Sequence, residues 1–487
     1  MKKYILAIDQ GTSSCRAVLY NSSFNAIAIE QKETKTQYPQ AGRVEQDAIE
    51  IWENQRTVMQ DLLRKTKVQA AEIAGIGITN QRETTVVWDK SGKPVYKAII
   101  WQDTRTAGLC QQMKKDKLAK HVSLTTGLVI NPYFSATKLA WILDNVPGVR
   151  ERAEAGELFF GTIDSWLVWN LTSGKLHITD YSNASRTMLY DINNLVWDQE
   201  ILDYLHIPAV MLPKVVSSSH IYGNADIEIL GEAVPIAGIA GDQQAALYGQ
   251  NCLKAGTAKN TYGTGCFLLM NTGTEKVISK SNLLTTIAWE IDGIVTYALE
   301  GSVFMGGAVV KWLRDDLGMI LTAAETEMIA QSISGNEGVY FVPAFAGLGA
   351  PYWDTEASGV ICGLKSGCGK AHIVRAALEA MAFQTRDVLV CMERDAGVAL
   401  KELHVDGGAA ANNFLMQFQA DILGCEVHRP QEIETTVLGA ARLAAKALQF
   451  GEIDIHKTES SIFAPKISTE TRINLCQGWK KAVEKAR

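Results

Sequence analysis

Short runs of β-branched and aliphatic residues alternate along the chain with longer stretches in which apolar positions recur every three or four residues. Short bounded apolar runs predict strands and the 3.6-residue period predicts helices, so the pattern is that of an α/β protein. Residues 4–9 (YILAID) predict a strand, residues 10–14 a tip rich in Gly, Thr and Ser, and residues 16–20 a returning strand. Residues 259–262, the tip Gly263-Thr264-Gly265 and residues 266–271 repeat that arrangement mid-chain. Residues 235–240 predict an apolar strand that ends at Gly241-Asp242 before a helix from Gln243. Residues 403–405 predict a strand that ends at Asp406-Gly407-Gly408 before a helix from about Asn412. The long amphipathic stretch 371–394 predicts a core helix. One hairpin and one strand–Gly/Asp–helix unit in each half predict two related domains, residues 1–248 and 249–487, facing each other across a cleft.

Composition narrows the function classes. Of 487 residues, 47% are hydrophobic and 21% charged, an ordinary globular balance. A formal net charge of −6 argues against a nucleic-acid partner but not against an anionic ligand, for which a few cations and backbone N–H groups suffice. Nine scattered cysteines with no C-x-x-C pair read as free thiols in a reducing cytosol, not a disulfide framework or zinc site. The start, MKKYILAIDQ, begins like a signal peptide, but its apolar run stops at Asp9-Gln10. No apolar stretch approaches the ~18 residues of a membrane span. The expectation is therefore a cytoplasmic chain, with no weight on the N-x-[ST] sequons at Asn21, Asn170 and Asn183.

Common nucleotide motifs fail. The segment from Gly363 to Lys370 is one residue too long for a Walker A loop, and Ala371 stands where a Ser or Thr must ligate Mg²⁺, so it reads as a surface turn. The G-x-G-x-x-G fingerprint and the protein-kinase set are missing. Asp9-Gln10-Gly11-Thr12-Ser13-Ser14 remains. Glycine permits close approach to phosphate, hydroxyls add donors, successive N–H groups form an anion nest, and Asp9 can hold Mg²⁺ through water. Such a tip alone is usually just a turn. Its echo at Gly263-Thr264-Gly265 gives two tips able to clamp a triphosphate. Asp242, read alone, is an N-cap; with Gln243 and Gln244 beside it, the segment suits a site lip. Asp406-Gly407-Gly408 suits a backbone platform for a nucleotide. Arg82-Glu83 follows the apolar strand 73–79; such a pair is usually a solvated face, yet Arg donors beside Glu acceptors can read adjacent hydroxyls of a polyol. Trp101, Tyr133 and Phe267 taken singly are ordinary core aromatics.

Together these residues resemble the FGGY carbohydrate kinases. Tyr133-Phe-Ser-Ala-Thr-Lys138-Leu-Ala-Trp141-Ile-Leu-Asp-Asn145 is similar to the first signature of that family. Gly359-Val-Ile361-Cys-Gly363-Leu364, then seven residues and His372-Ile-Val-Arg-Ala-Ala377-Leu-Glu379, is similar to the second. Asp9–Arg16, Asn80–Glu83, Gly241–Gln244, Tyr262–Phe267 and Asp406–Gly408 with Asn412 follow in the order of its glycerol-phosphorylating members, over nearly the whole chain.

The resemblance implies two actin-like (ribonuclease-H-like) ATPase domains with ATP and Mg²⁺ in the cleft and glycerol deeper, mainly on the first domain. It implies that Arg82, Glu83, Tyr133 and Asp242, with Gln243 adjacent, bind the glycerol hydroxyls, and that Trp101 and Phe267 pack on its carbons. It implies Asp242 as the catalytic base and Asp9 with Asp242 around the metal. Thr12, Ser13, Ser14, Arg16 and Thr264 would serve the phosphates; Gly307, Gly408 and Asn412 would serve the nucleoside end, with Lys311 where a Gln is common. Cys15 stands where the family usually has Ser. Residues 227–235 (IEILGEAVP) lack the Gly-Thr-Arg loop of bisphosphate-inhibited members and the regulatory His of phosphocarrier-controlled ones, which predicts insensitivity to both. A homo-oligomer, dimer or tetramer, is expected. The alternatives are a kinase for another polyol or sugar, an actin- or chaperone-like ATPase switch, and an inactive regulator, which the full set of expected catalytic residues disfavours.

Overall fold

The computed structural model describes residues 2–487 apart from residues 355, 432–433 and 452–459. In the first half β1 (Tyr4–Gln10), β2 (Ser14–Asn21) and β3 (Ala26–Glu33) form an antiparallel meander. Helix α1 (Ala48–Thr66) starts where the Asp47 side chain accepts from the Ile49 and Glu50 N–H groups, and returns the chain to β4 (Ile73–Asn80), parallel to β1. After α2 (Ser135–Asn145) and α3 (Ile163–Leu171), β5 (Ser219–Asn224) pairs antiparallel with β6 (Pro235–Gly241), and β6 lies parallel to β4. The sheet order is β5-β6-β4-β1-β2-β3, and α4 (Asp242–Gly249) leaves the end of β6. Every residue of β4 is buried, as its continuous apolar run requires of a central parallel strand.

The second half rebuilds that core. β7 (Thr257–Tyr262), β8 (Cys266–Gly273), β9 (Leu284–Ile291) and β10 (Ile294–Val303) are antiparallel neighbours. Helices α5 (Ala308–Asp315) and α6 (Lys370–Ala396) follow. Then come β11 (Glu402–Asp406), α7 (Asn413–Leu423), β12 (Glu426–Pro430), α8 (Thr435–Leu448), β13 (Ser460–Phe463) and α9 (Thr469–Ala486). The order is β9-β10-β8-β7-β11-β12-β13, with β7, β11 and β12 parallel. Thus β3-β2-β1-β4-β6 and β10-β8-β7-β11-β12 are the same five-strand arrangement, three antiparallel neighbours continued by two parallel ones.

This corrects one detail of the repeat. The sequence suggested that β6 and β11 are counterparts because each ends in Gly and Asp. By position in the sheets, β11 matches β4, and β6 matches β12. The helices after the matched strands, α4 and α8, cross each other. A Cβ on Gly249 would lie 2.0 Å from the Thr435 carbonyl oxygen, and one on Gly439 1.9 Å from that of Ala245, so only glycine fits at the crossing. Each helix then packs on the other half's sheet. Val437, Leu438, Ala441 and Ala444 of α8 meet Ile5, Ala7 and Val18. Ala245, Leu247 and Tyr248 of α4 meet Leu269, Ala288 and Trp289. The two halves are therefore clasped at the base of the cleft, and the C-terminal ends of the parallel strands open above the clasp.

The largest core belongs to the second half and is centred on α6, where Phe383 stacks on Trp479 of α9 at 5.1 Å. The near-Walker segment is the turn that enters α6, with Gly363 at φ +83°. The nine cysteines are free thiols. Among the described residues no helix is long and apolar enough to cross a membrane.

Candidate active site

Strand register brings the first-half candidates together. Asp9 pairs with Thr79, and Gln10 and Gly241 with Asn80, so the ends of β1, β4 and β6 release Asp9, Arg82, Glu83 and Asp242 at one point. Arg82 and Glu83 are buried, not a solvated face. Glu83 holds φ +62°, an uncommon conformation fixed by Ser135, whose hydroxyl donates to the Glu83 carbonyl at 2.9 Å. Asp242 is the first residue of α4, not its cap; its Oδ1 accepts from the Gln243 N–H at 2.7 Å, and 29% of its side chain stays open.

Charges are interlocked here. Arg82 Nε lies 3.2 Å from Asp242 Oδ1 and 3.8 Å from Glu83 Oε1. Its two terminal nitrogens donate to the two oxygens of Glu300 on β10, at 2.7 and 2.9 Å. Arg186 donates to Glu83 Oε1 at 2.7 Å and to Glu300 Oε1 at 3.3 Å. Lys259 of β7, fully buried, donates to Gln243 Oε1 and, at 3.0 Å, to Thr261. Burial pushes Asp242 above the usual carboxylate range against the pull of Arg82 and Lys259. Burial likewise raises Glu83, opposed by Arg82 and Arg186. Burial opposes the charge on Glu300 too, yet Arg186 and Arg82 hold it down at about 2. Asp9 is pushed up to about 7 by burial; Arg16, 3.8 Å away, pulls it down, while Asp242 and Glu434 add repulsion. Two repelling carboxylates at the cleft are a fitting place for a hydrated dication.

Aromatic rings close one side. Trp101 and Tyr133 meet edge to face at 5.6 Å, and the Arg186 guanidinium lies 5.8 Å from the Tyr133 ring. Lys138 of α2 holds the loop carrying Tyr133, donating to the carbonyls of Pro132, of Tyr133 at 2.7 Å and of Phe134 at 3.2 Å. Phe267 stands on the other half, paired across the ladders with Thr261 and Ser302; among the described residues no ring contact joins it to Trp101 or Tyr133.

The hairpin tips flank the cleft. Gly11 N–H donates to the Ser14 carbonyl at 3.0 Å, and the Thr12 hydroxyl accepts from Trp101 Nε1 at 2.9 Å, tying the first tip to the aromatic wall. Ser13 is exposed, Ser14 nearly buried, and Arg16 is engaged with Asp9 and Glu434. The second tip borders a cavity of about 660 Å³ whose lining includes Thr264, Gly307, Lys311, Gly408 and Asn412. Five residues from three distant segments of the chain thus share one wall. Gly407 permits it: its φ is +86°, and a Cβ there would stand 2.5 Å from the Tyr262 carbonyl oxygen. Asn412 caps α7, accepting from the Leu415 N–H at 2.9 Å, and donates to Thr326 at 3.1 Å.

Sequence reasoning missed Arg186, Lys259 and Glu300 as members of the charge network. A lone Glu inside the apolar run of β10 and a lone Lys in β7 were signals that could have found Glu300 and Lys259. Arg186, in polar surroundings, offered none.

The fold has known counterparts. The profile of the FGGY family of carbohydrate kinases, N-terminal domain, matches residues 4–249, and that of the C-terminal domain matches residues 258–448. The chain is similar to the glycerol kinase of Carboxydothermus hydrogenoformans, 58% identical over all of this chain and 98% of that protein. The glycerol kinase of Clostridium botulinum is 57% identical over all of this chain and 99% of its own. The crystal structure of Plasmodium falciparum glycerol kinase with ADP superimposes with a TM-score of 0.95 at 36% identity, covering 99% of this chain and 98% of that one.

Proposed function

The chain belongs to the FGGY family of carbohydrate kinases, and on that premise we propose that it transfers the γ-phosphoryl group of ATP to a terminal hydroxyl of glycerol, giving ADP and glycerol 3-phosphate in the first committed step of glycerol catabolism. The single observation that carries the assignment to this chain's residues is the Arg82–Glu83–Asp242 constellation at the head of the cleft, two buried side chains beside a partly open carboxylate. It sets matched donors and acceptors close to the paired Trp101 and Tyr133 rings, a chemistry suited to a three-carbon polyol.

In this reading Arg82 donates to glycerol oxygens, and Glu83 and the Tyr133 hydroxyl orient the others. Gln243 borders the pocket, held by Lys259. Trp101, and Phe267 from the facing half, cover the carbon chain. Asp242 accepts the proton of the attacking hydroxyl as its oxygen bonds to the γ-phosphorus and the bond to the β-phosphate bridging oxygen breaks; ADP carries away that electron pair. A raised affinity for protons and an open side chain suit Asp242 to this role. Thr12, Ser13, Ser14, Arg16 and Thr264 face the phosphates from the two tips, and Gly307, Lys311, Gly408 and Asn412 line the nucleoside cavity. Asp9 and Asp242 would hold Mg²⁺ through water. The ion, when bound, screens the charge of the phosphates. Most of the rate comes from holding hydroxyl and phosphorus in line and excluding water as rival acceptor, by closure of 1–248 on 249–487.

We further assign the working enzyme to the cytoplasm, as a homo-oligomer (dimer or tetramer) that light scattering can size. Residues 227–235 present Glu228 and Glu232 on the surface and no cation, so no response to fructose bisphosphate is expected. The test of function is coupled ADP release with and without glycerol. Turnover should depend on added glycerol; equal ADP release in its absence would mark an ATPase switch and sink the assignment.

A further inference from the structure

The pair between Arg82 and Glu300 bridges the halves at a point the mechanism above does not use. Arg82 follows β4 in the first half and Glu300 lies on β10 in the second, with side chains 2% and 5% exposed. Arg82 has five N–H groups. Glu300 takes one from each terminal nitrogen, and Gln244 Oε1 takes another from Nη1 at 3.2 Å. Gln244 is itself tied to the second half, donating to the Thr286 hydroxyl at 3.2 Å and the Ile287 carbonyl at 3.3 Å, both on β9. What remains is the edge made by Nε–H and the second Nη2–H. Asp242 and Glu83 stand beside Nε. The back of the guanidinium is thus gripped by the second sheet, and its other edge faces Asp242 and Glu83, the residues proposed to hold the acceptor.

We propose that Glu300 is the positioning residue for Arg82, so that the acceptor pocket is built across both halves and the nucleotide-bearing half sets which edge of Arg82 meets the substrate hydroxyls. The inference rests on the reading that Arg82 binds those hydroxyls. Arg186, shared between Glu83 and Glu300, extends the grip: the same carboxylate that orients Arg82 also holds the cation that orients Glu83. A buried ion pair is by itself weak grounds for a stability role, since desolvation offsets much of its attraction. Orientation is the property the geometry does deliver.

The test is steady-state kinetics of the full chain with Glu300→Gln and Glu300→Asp, varying glycerol and ATP separately. Glu300→Gln keeps the shape but one acceptor oxygen and no charge; glycerol KM should rise at least roughly 30-fold, with ATP KM within about threefold of wild type. Glu300→Asp keeps the charge one methylene further back and should give an intermediate glycerol KM. It carries the test should the Gln variant fail to fold. A merely structural pair would lower thermal stability without separating the two KM values. Glycerol KM within about threefold of wild type in the folded variant, or an equal rise in both KM values, overturns the proposal. Wild type measured alongside keeps the outcomes apart. No glycerol-dependent turnover there sinks the acceptor assignment itself, whereas an active wild type matched by Glu300→Gln sinks only the role of Glu300.

Discussion

At the proposed acceptor end of the cleft stand charged side chains with almost no exposure: Arg82, Glu83, Arg186 and Glu300 all lie within 5%. At the proposed nucleotide end glycines and alanines share the wall with apolar Val310, Leu378 and Met381 and with charged Lys311, Arg314 and Glu327. The two ends therefore discriminate by different physics. A buried guanidinium or carboxylate that loses its partner keeps its desolvation penalty, so the acceptor end rejects a wrong ligand, or a wrong substitution, sharply. A wall made mostly of small and apolar residues recognises shape, so it tolerates many side-chain changes and is most sensitive where the backbone itself is tight.

The contrast can be broken most forcefully at Asp242. Asp242→Asn should fold, bind ATP as before and lose roughly 10²–10⁴ in kcat, as removal of a general base does. Near-normal turnover of the purified variant would remove Asp242 from the mechanism. Next is Glu83→Gln, which leaves Arg186 and Arg82 facing a neutral amide. A loss of about 1–3 kcal/mol for the under-satisfied groups means a kcat/KM for glycerol lower by roughly 5- to 150-fold, with ATP KM unmoved. If ATP KM moved by the same factor, the two ends would not be separable as described.

The nucleotide end should respond through its backbone. Gly407→Ala forces an alanine to φ +86° with its Cβ against the Tyr262 carbonyl. A urea melt should show a stability loss of about 1–3 kcal/mol, together with a weaker ATP KM. A variant that melts like wild type would show this backbone to be slack. The smallest effect belongs to Lys311→Gln at the cavity wall: ATP KM within about threefold and glycerol KM unchanged. A larger change would make that lysine a true nucleotide contact.

What could be read from the chain in advance follows the range of the interactions. The hairpins around Gly11 and Gly263 are local, so both turns were legible. The long helix Lys370–Ala396 showed in its period. Pairing of the repeats was misread because β4 and β12 carry no Gly/Asp ending, whereas β6 and β11 do; sheet neighbours are set by topology, not by how a strand ends. Arg82 and Glu83 looked like a solvated face because their partners are remote. Glu300 is 218 positions from Arg82, and Arg186 is 103 from Glu83. No period or spacing encodes such a contact, although the lone Glu in an apolar strand marked a buried charge in need of a partner.

The account turns on one claim, that a buried set of matched donors and acceptors reads the three hydroxyls of glycerol. The direct measurement is kcat/KM for glycerol, xylulose and gluconate in one coupled ADP-release assay at saturating ATP. Misplaced hydroxyls leave buried groups unpaired at about 1–3 kcal/mol each, so glycerol should exceed both sugars by at least roughly tenfold. A kcat/KM for xylulose or gluconate equal to or above that for glycerol would contradict the claim.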